Sequence, residues 1–277
     1  MARKAFITVD AEGMPYIVGR HHLSPGDRLF SELREIMTKI SYHVASELLK
    51  RGFTEVVLAD SHAAMINIDP FKAPRGVKVV RGFPRPLAMI AGAEGAQAAY
   101  MLGYHTSQQE GGVLGHTYAG RIIQAVEING VKASEYLLNA YALGELGIPV
   151  AMVAGDSILG SEVDRHTPWA VFYPLKDPLS AFAAASPSIE ELLEGLSRAV
   201  AESVEKLGHG ELKPLVPPED LEFIVEFKRP YYADVASLFP CVERLDGVTV
   251  KLTCGSFMDR YKMLEGLVIA SFGLERG

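Results

Sequence analysis

The sequence has few cysteines, few amide side chains and no long apolar run. Its two cysteines, Cys241 and Cys254, are too few for a disulfide framework or a thiolate zinc site. Asn and Gln together number seven, a scarcity that fits a heat-adapted source. No stretch of about 18 apolar residues is free of charge, which argues against a membrane span. If this chain binds a metal, we expect nitrogen and oxygen ligands.

The chain also lacks an excess of positive charge. Its 27 basic and 34 acidic side chains give a net charge of −7 over 277 residues, and no basic run occurs. We therefore expect no nucleic-acid partner and no anionic membrane partner. The first apolar stretch ends at Asp10, which is too early for a secretion signal, and we expect a cytoplasmic protein.

What the sequence does have is the composition of a globular protein, with 48% hydrophobic and 22% charged residues. Short apolar runs predict buried strands, and apolar residues at helical spacing predict helices. The predicted strands cover residues 4–9, 55–59, 77–80, 98–102 and 149–154. The predicted helices cover residues 27–51, 134–146 and 188–207.

Two further signals concern the sheet and the domain boundary. The turn Asn129-Gly130 within residues 122–132 predicts a hairpin, so we expect an α/β fold with a mixed, mostly parallel sheet flanked by helices. The proline-rich segment 213–218 cannot continue a helix and marks a boundary. We predict a catalytic metal-binding domain over residues 1–213 and a smaller α+β lobe over residues 214–277, where alternating patterns suit strands with one wet face.

Polar side chains follow several predicted strands at the point where each strand ends. Asp10 and Glu12 follow the first strand, His62 follows the second, and His105 follows the fourth, while Glu135 lies in the first turn of a helix. Ligands of open α/β sheets bind beyond the carboxyl ends of the strands. Carboxylates and imidazoles without cysteine are typical of zinc or manganese sites, and more than four such groups suggest two metals. The sequence thus predicts a two-metal hydrolase.

Each of these residues also has an ordinary structural explanation. An Asp-x-Glu after a strand can cap a helix or bind magnesium, and a single His at a strand end is often a hydrogen-bonded core residue. Their convergence on one rim favours the metal site. His116 follows the glycine-rich segment 111–115, whose glycines let the backbone pass close to a ligand.

Other polar residues near this rim have two interpretations each. His21 and His22 could face the same cleft or belong to a solvated loop. Asp60 could orient a ligand imidazole or hold a turn. Asp156 ends a strand near the rim, and its role stays open.

Several segments occur in the order and spacing seen in the zinc D-aminopeptidases of bacterial dipeptide-transport operons, which this chain resembles. The resemblance covers about residues 5–156 and continues more loosely toward the C-terminus. The segments are Thr8-Val9-Asp10-Ala11-Glu12-Gly13, Ala59-Asp60-Ser61-His62, Leu102-Gly103-Tyr104-His105, Gly115-His116, Ser134-Glu135-Tyr136-Leu137-Leu138-Asn139-Ala140 and Val153-Ala154-Gly155-Asp156.

This resemblance implies an enzyme that uses two zinc ions per subunit and metal-activated water to remove the N-terminal residue of short peptides, of the D-Ala type. It implies that Asp10 bridges both ions, that Glu12 and His105 complete one zinc site, and that His62 and Glu135 complete the other. It also implies a homodecamer of two stacked pentamer rings.

His116 matches the family residue with the catalytic role, which is usually described as the nucleophile. We interpret it as an acid–base or transition-state-stabilising imidazole, because a metal-activated hydroxide already supplies a nucleophile. The chain departs from the family at Ser134, where relatives have glycine, and at Ser180-Ala181, where relatives carry a Ser-Arg pair downstream of a lysine that is Lys176 here. A basic group that meets the substrate terminus could therefore be missing, which leaves specificity open.

Two other functions stay open from the sequence. The same site could serve a two-metal amidase or phosphoesterase that acts on another small substrate. Alternatively, a non-catalytic metal-binding assembly protein could keep the site for its structure, in which case chelation would unfold it and no substrate would be turned over.

Overall fold

Strands and helices alternate along the chain in the computed structural model, which describes residues 3–276. Within that range the strands are β1 (Lys4–Val9), β2 (Glu55–Asp60), β3 (Val77–Val80), β4 (Ala98–Tyr104), β5 (Ile123–Ile128), β6 (Val131–Lys132), β7 (Val150–Asp156), β8 (Val171–Ser180), β9 (Ala183–Ala185), β10 (Phe223–Phe227), β11 (Val242–Arg244) and β12 (Thr249–Leu252). The α-helices are α1 (Phe30–Lys50), α2 (Glu135–Glu145), α3 (Gly160–His166), α4 (Ile189–Gly208), α5 (Pro230–Ala236) and α6 (Phe257–Phe272).

The larger sheet has seven strands in the order β3-β2-β1-β4-β7-β8-β9. Every neighbouring pair is parallel except β8 and β9, so the predicted mixed, mostly parallel sheet is confirmed. The chain leaves β1 toward β2 on one side and returns to pair with β1 through β4 on the other. Such a reversal of strand order is where open α/β sheets bind ligands. The carboxyl ends of β1, β2 and β4 therefore lie side by side.

The smaller sheet has five antiparallel strands in the order β11-β12-β10-β5-β6. The hairpin predicted around Asn129-Gly130 forms as β5 and β6, but it belongs to this sheet and not to the larger one. The smaller sheet combines strands from both sides of residue 213. The division at that residue stays a prediction.

The core lies on both faces of the larger sheet. Along β1, Ala5, Ile7 and Val9 face a layer that contains α1 and α4, whereas Phe6 faces α2, α5, α6 and the smaller sheet. Burial on both faces explains why β1 reads as a continuous apolar run. Fully burying one such large side chain contributes about 1.5–3 kcal/mol.

Serine side chains define where three of the helices begin. Ser188 starts α4 with the predicted capping box to Glu191, and Ser256 starts α6 in the same way with Asp259. Ser134 starts α2 by accepting a hydrogen bond from the Leu137 backbone N–H. Within the described residues, no helix combines the length and the apolar character needed to cross a membrane.

Candidate metal centre

The predicted site residues meet at the carboxyl ends of β1, β2 and β4. One ligand atom each from Asp10, Glu12 and His105 lies within 4.8 Å of the other two, and the same holds for His105, His116 and Glu135. All but His116 are buried. A buried cluster of carboxylates and imidazoles at a switch point of the sheet has the composition of a metal centre.

His62 joins the cluster on the side of Glu12. Its Nδ1 lies 3.0 Å from Glu12 Oε2 and 3.4 Å from Asp10 Oδ1, while His105 Nε2 lies 3.3 Å from Asp10 Oδ2 and 3.8 Å from Glu135 Oε1. No pair of ionisable atoms within 4.0 Å joins His62 to Glu135 in the described part of the chain. His62 thus contacts Glu12, but Asp10, Glu12 and His105 also form a group of mutually close ligand atoms, which is the set that the resemblance assigns to one zinc site. How the residues divide between two ions stays a prediction.

Tight backbone packing brings the Asp10–Glu12 turn against β4. Gly103 has a φ of +72°, and a side chain there would overlap the carbonyl oxygen of Asp10. A Cβ on Gly13 would in turn overlap the carbonyl oxygen of Tyr104. Only glycine fits these two positions, which explains the glycines in the matched motifs.

Hydrogen bonds to carbonyl oxygens set the tautomer of each histidine. His105 Nδ1 lies 2.8 Å from the Thr106 carbonyl oxygen, and His62 Nε2 lies 2.9 Å from the Leu23 carbonyl oxygen. His116 Nδ1 lies 3.0 Å from the carbonyl oxygen of Leu114 in its own loop. A carbonyl oxygen only accepts, so each of these nitrogens carries the proton. In the neutral ring, the other nitrogen then carries a lone pair that points at the carboxylates, as in metal-ligating histidines.

The cluster contains buried polar atoms that no protein group satisfies. Among the described residues, Asp10 Oδ2, Glu12 Oε2 and His105 Nε2 have no hydrogen-bond partner. Buried polar atoms are nearly always paired. Three buried carboxylates facing three imidazole lone pairs are satisfied by cations, so these residues fit bound metal ions.

The raised pKa values of two buried groups also indicate that positive charge is favoured in this cluster. Burial lowers the pKa of the His105 imidazole, but Asp10 and Glu135 outweigh it and raise that pKa to about 10. Burial, and then the charge of Asp10, raises the pKa of the Glu135 carboxyl. The neighbouring carboxylates thus favour a cation between them.

Two buried aspartates hold the loops that carry the histidines. Asp60 accepts hydrogen bonds from the Ile68 backbone N–H at 2.8 Å and from Asn67 Nδ2 at 2.8 Å, so it holds a turn and does not contact the His62 ring. Asp156, which the sequence left open, accepts from the backbone N–H groups of Val113 at 2.9 Å and Ile158 at 3.0 Å. It ties the His116 loop to the end of β7.

Lys176 is buried and contacts the backbone of the segment that follows β1 and carries Glu12. Its Nζ donates to the carbonyl oxygens of Glu12 and Ile17, the latter at 2.6 Å. Burial lowers the pKa of this ammonium to about 8. The sequence did not reveal this structural role of Lys176. Ala181, where relatives carry an arginine, borders the cleft and brings no charge to it.

A chain of buried hydrogen bonds runs beneath the centre and joins four elements and the loop after β2. Thr8 Oγ1 lies 2.9 Å from Ser61 Oγ and 3.0 Å from Tyr104 Oη. Asn139 Nδ2 donates to Tyr104 Oη at 3.0 Å, and Tyr261 Oη donates to Asn139 Oδ1 at 2.7 Å. The network connects β1, β4 and α2 to α6, and sequence signals reveal none of these pairings because the partners are distant in the chain.

The centre opens into a cleft with two connected cavities of about 590 and 500 Å³. Glu12 and His116 line both. The His105 and His116 rings stack with centroids 4.6 Å apart, so His116 stands between the buried ligands and the cleft. Of the two histidines left open by the sequence, His22 is buried and lies 4.0 Å from Glu32, and His21 is exposed.

Fold and residue set together define the class, which is an α/β protein with a candidate carboxylate–histidine metal centre at the switch point of its sheet. The chain belongs to the D-aminopeptidase family, whose model matches residues 3–266. It is 28% identical over 263 residues to a D-aminopeptidase of Bacillus subtilis strain 168, covering 94% of this chain and 95% of that protein.

A solved structure supports the same relationship. The Zn-dependent D-aminopeptidase DppA from Bacillus subtilis, described as a self-compartmentalizing protease, superposes with a TM-score of 0.92 at 27% identity. The match covers 97% of this chain and 98% of that one. The family and the fold predicted from the sequence are confirmed, and so is the expectation of a zinc aminopeptidase at the level of the family.

Proposed function

We propose that this chain is an aminopeptidase that holds two zinc ions and releases the N-terminal residue, of the D-Ala type, from short peptides. The observation that carries the proposal is the convergence of three buried carboxylates and three imidazole lone pairs on one cleft. The name of the Bacillus subtilis relative supports both zinc and the D-aminopeptidase activity.

The contacts suggest how the residues divide between two ions. Asp10 contacts both His62 and His105, so it can serve both ions. The close group of Asp10, Glu12 and His105 supports a first site completed by Glu12 and His105, and His62 and Glu135 would complete the second, as the resemblance implies. Each ion would then have three protein ligands, which leaves room for water, as catalytic sites need. When bound, the two ions supply Lewis-acid polarisation of the scissile carbonyl and acidify a water molecule.

His116 has the position of the catalytic acid and base. Its Nδ1 proton is engaged by the Leu114 oxygen, and its Nε2 faces Glu135 Oε1 at 3.7 Å at the edge of the cleft. Nε2 accepts the proton that water loses as the water oxygen bonds to the carbonyl carbon. The same nitrogen returns the proton to the leaving nitrogen as the C–N bond breaks, which yields the free amino acid and a shortened peptide.

Metal content and turnover of matched variants test this function. Wild-type protein is expected to contain two zinc ions per chain and to hydrolyse D-alanyl dipeptides, whereas Glu12→Ala and His105→Ala lose zinc and activity. His116→Ala keeps its zinc and loses roughly 10²–10⁴-fold in kcat, the range for a general acid–base. The exposed His21→Ala is the control with both properties unchanged.

Three results would contradict the proposal. Full activity in His105→Ala would remove the metal role of that residue, and loss of zinc in His116→Ala would make His116 a ligand. Turnover of phosphoesters without turnover of D- or L-aminoacyl amides would establish the phosphoesterase in its place.

We also propose that the chain forms a homo-oligomer, a decamer as the resemblance implies. The Bacillus subtilis structure is described as self-compartmentalizing, which supports assembly. Leu179 and Phe182 lie on either side of Ser180-Ala181, where β8 turns toward β9, and are 76% and 61% exposed, which is unusual for such large apolar side chains so close together. The cytoplasmic location stays a prediction.

A further inference from the structure

The two ends of the cleft differ in chemistry. The 590 Å³ cavity has apolar walls that include Met65, Met89 and Val268. The 500 Å³ cavity is lined by three basic side chains, Arg20, Arg121 and Lys228, of which Arg121 also reaches the other cavity. Asp10, Glu12, His62 and Glu135 of the metal-ligand cluster also line the 590 Å³ cavity, and of these only Glu12 reaches the 500 Å³ cavity. A substrate that spans the cleft therefore runs from a cavity that holds the ligand carboxylates and apolar walls into a cavity with basic walls.

The basic residues of this wall have no ion-pair partner among the described residues. No carboxylate oxygen lies within 4.0 Å of the charged nitrogens of Arg20, Arg121 or Lys228. Apart from Glu12, the acidic group that lines this cavity is Asp27, and its Oδ2 already accepts from a backbone N–H of its own loop at 2.8 Å. The wall therefore presents cations that are free to bind an anion.

Lys228 is held close to the catalytic imidazole. Its Nζ donates to the carbonyl oxygen of Gly120, and Gly120 packs so closely on His116 that an added Cβ would lie 3.0 Å from the His116 Cβ. Burial, and then the charge of Arg20, lowers the pKa of the Lys228 ammonium. Arg20 lines the same cavity as Lys228, so an anion bound there faces both cations and reduces the repulsion between them.

We propose that Lys228 and Arg20, with Arg121 beside them, bind the free α-carboxylate of a short peptide on the leaving-group side of the scissile bond. The inference rests on the proposed aminopeptidase function and names its substrate class, which is di- and tripeptides with an unblocked C-terminus. An arginine fork and an ammonium are the groups that best recognise a carboxylate.

The length of a peptide explains the selection. In a dipeptide, the carboxylate follows the scissile bond by one residue, and each further extended residue moves it away by about 3.3–3.6 Å. A longer chain carries its carboxylate out of reach of the basic wall, and an amidated C-terminus offers these cations no charge.

The test compares D-alanyl-D-alanine with D-alanyl-D-alaninamide as substrates of the zinc-loaded enzyme. We expect wild type to favour the free acid roughly tenfold in kcat/KM, as one charge-assisted contact allows. Lys228→Met and Arg20→Met are expected to lose about fivefold or more on the acid, mainly through KM, and to lose less on the amide, so that the preference for the acid falls toward one. The control is Lys39→Met, an exposed lysine of α1 that lines neither cavity and leaves both values unchanged.

Equal kcat/KM for acid and amide in wild type would overturn the inference, as would an equal loss on both substrates in Arg20→Met. Arg20 makes no hydrogen bond through its side chain in the described structure, so this variant stays informative even if Lys228→Met fails to fold. Cleavage of D-alanyl p-nitroanilide alongside equal rates on acid and amide overturns only the carboxylate subsite. Absence of cleavage of all three substrates overturns the aminopeptidase function itself.

Discussion

Glu162 is a buried carboxyl outside the metal centre whose ionisation works against the fold. It lies in α3, and its Oε1 is 3.5 Å from the Ser134 backbone nitrogen, while its Oε2 has no hydrogen-bond partner in the described part of the chain. Burial raises the pKa of this carboxyl from its usual 4.5 to about 7. The folded state therefore binds a proton more tightly than the unfolded state, and stability falls as the pH rises from about 4.5 through 7.

Glu162→Gln is expected to remove this loss of stability. The variant should match wild type near pH 4, where the carboxyl is protonated in both states, and be more stable by up to about 2–3 kcal/mol near pH 8.5. Denaturant unfolding at the two pH values measures the difference. Glu194→Gln, an exposed residue of α4, is the control. A gain of equal size at both pH values would show that the effect does not come from ionisation.

The positions of some candidate site residues could be predicted from the sequence, and those of others could not. Asp10, His62 and His105 were predictable because the carboxyl ends of parallel strands meet at one edge, so chain position implied spatial position. Arg20 and Lys228 carry no such signal, because one lies in a loop after β1 and the other just after β10 of the other sheet. Their shared cavity appears only once the two sheets are packed.

Helix α2 links the stability of one element to the metal centre. Ser134 caps its N-terminus, and Glu135, the first helical residue, accepts a hydrogen bond from the Tyr118 backbone N–H at 2.7 Å. The helix start therefore fixes both the backbone of Glu135 and the direction of its carboxylate. A weaker cap should loosen this ligand as well as the helix.

Ser134→Ala is expected to lower the free energy of unfolding by about 1 kcal/mol and to weaken zinc binding. Ser188→Ala removes the cap of α4, far from the centre, and should lower stability by a similar amount without changing zinc affinity. Denaturant unfolding and competition with a zinc chelator measure the two quantities. The link between cap and metal would be wrong if both variants kept the zinc affinity of wild type.

Helices and strands with one or both faces buried formed where the local pattern of apolar residues predicted them. The run 77–80 was predicted with its observed bounds, and α4 follows the capping box at Ser188. The sheet that contains the hairpin β5–β6 was not predictable, because an Asn-Gly turn specifies the pairing of two adjacent strands and not the third strand beside them. That neighbour, β10, comes almost a hundred residues later.

The assembly proposed for this chain depends on the turn between β8 and β9. Replacing its two exposed apolar side chains together, as Leu179→Ser with Phe182→Ser, is expected to shift the protein from a decamer to smaller species, because apolar burial drives most association. Sedimentation velocity measures the distribution. Phe71→Ser, which removes a 98% exposed ring elsewhere, is the control. Unchanged sedimentation of the double variant would exclude this turn from the interface.

The hydrogen-bond network beneath the candidate metal centre joins residues that are synthesised at different times. All the candidate ligands are translated by residue 135, but Tyr261, which completes the network, and Val268 of the cleft wall belong to α6. Because domains emerge from the ribosome N-terminal part first, the ligand residues exist in the nascent chain long before the wall that shapes the cleft. We therefore expect the nascent chain to bind no peptide in this cleft until α6 has docked against the rest of the fold.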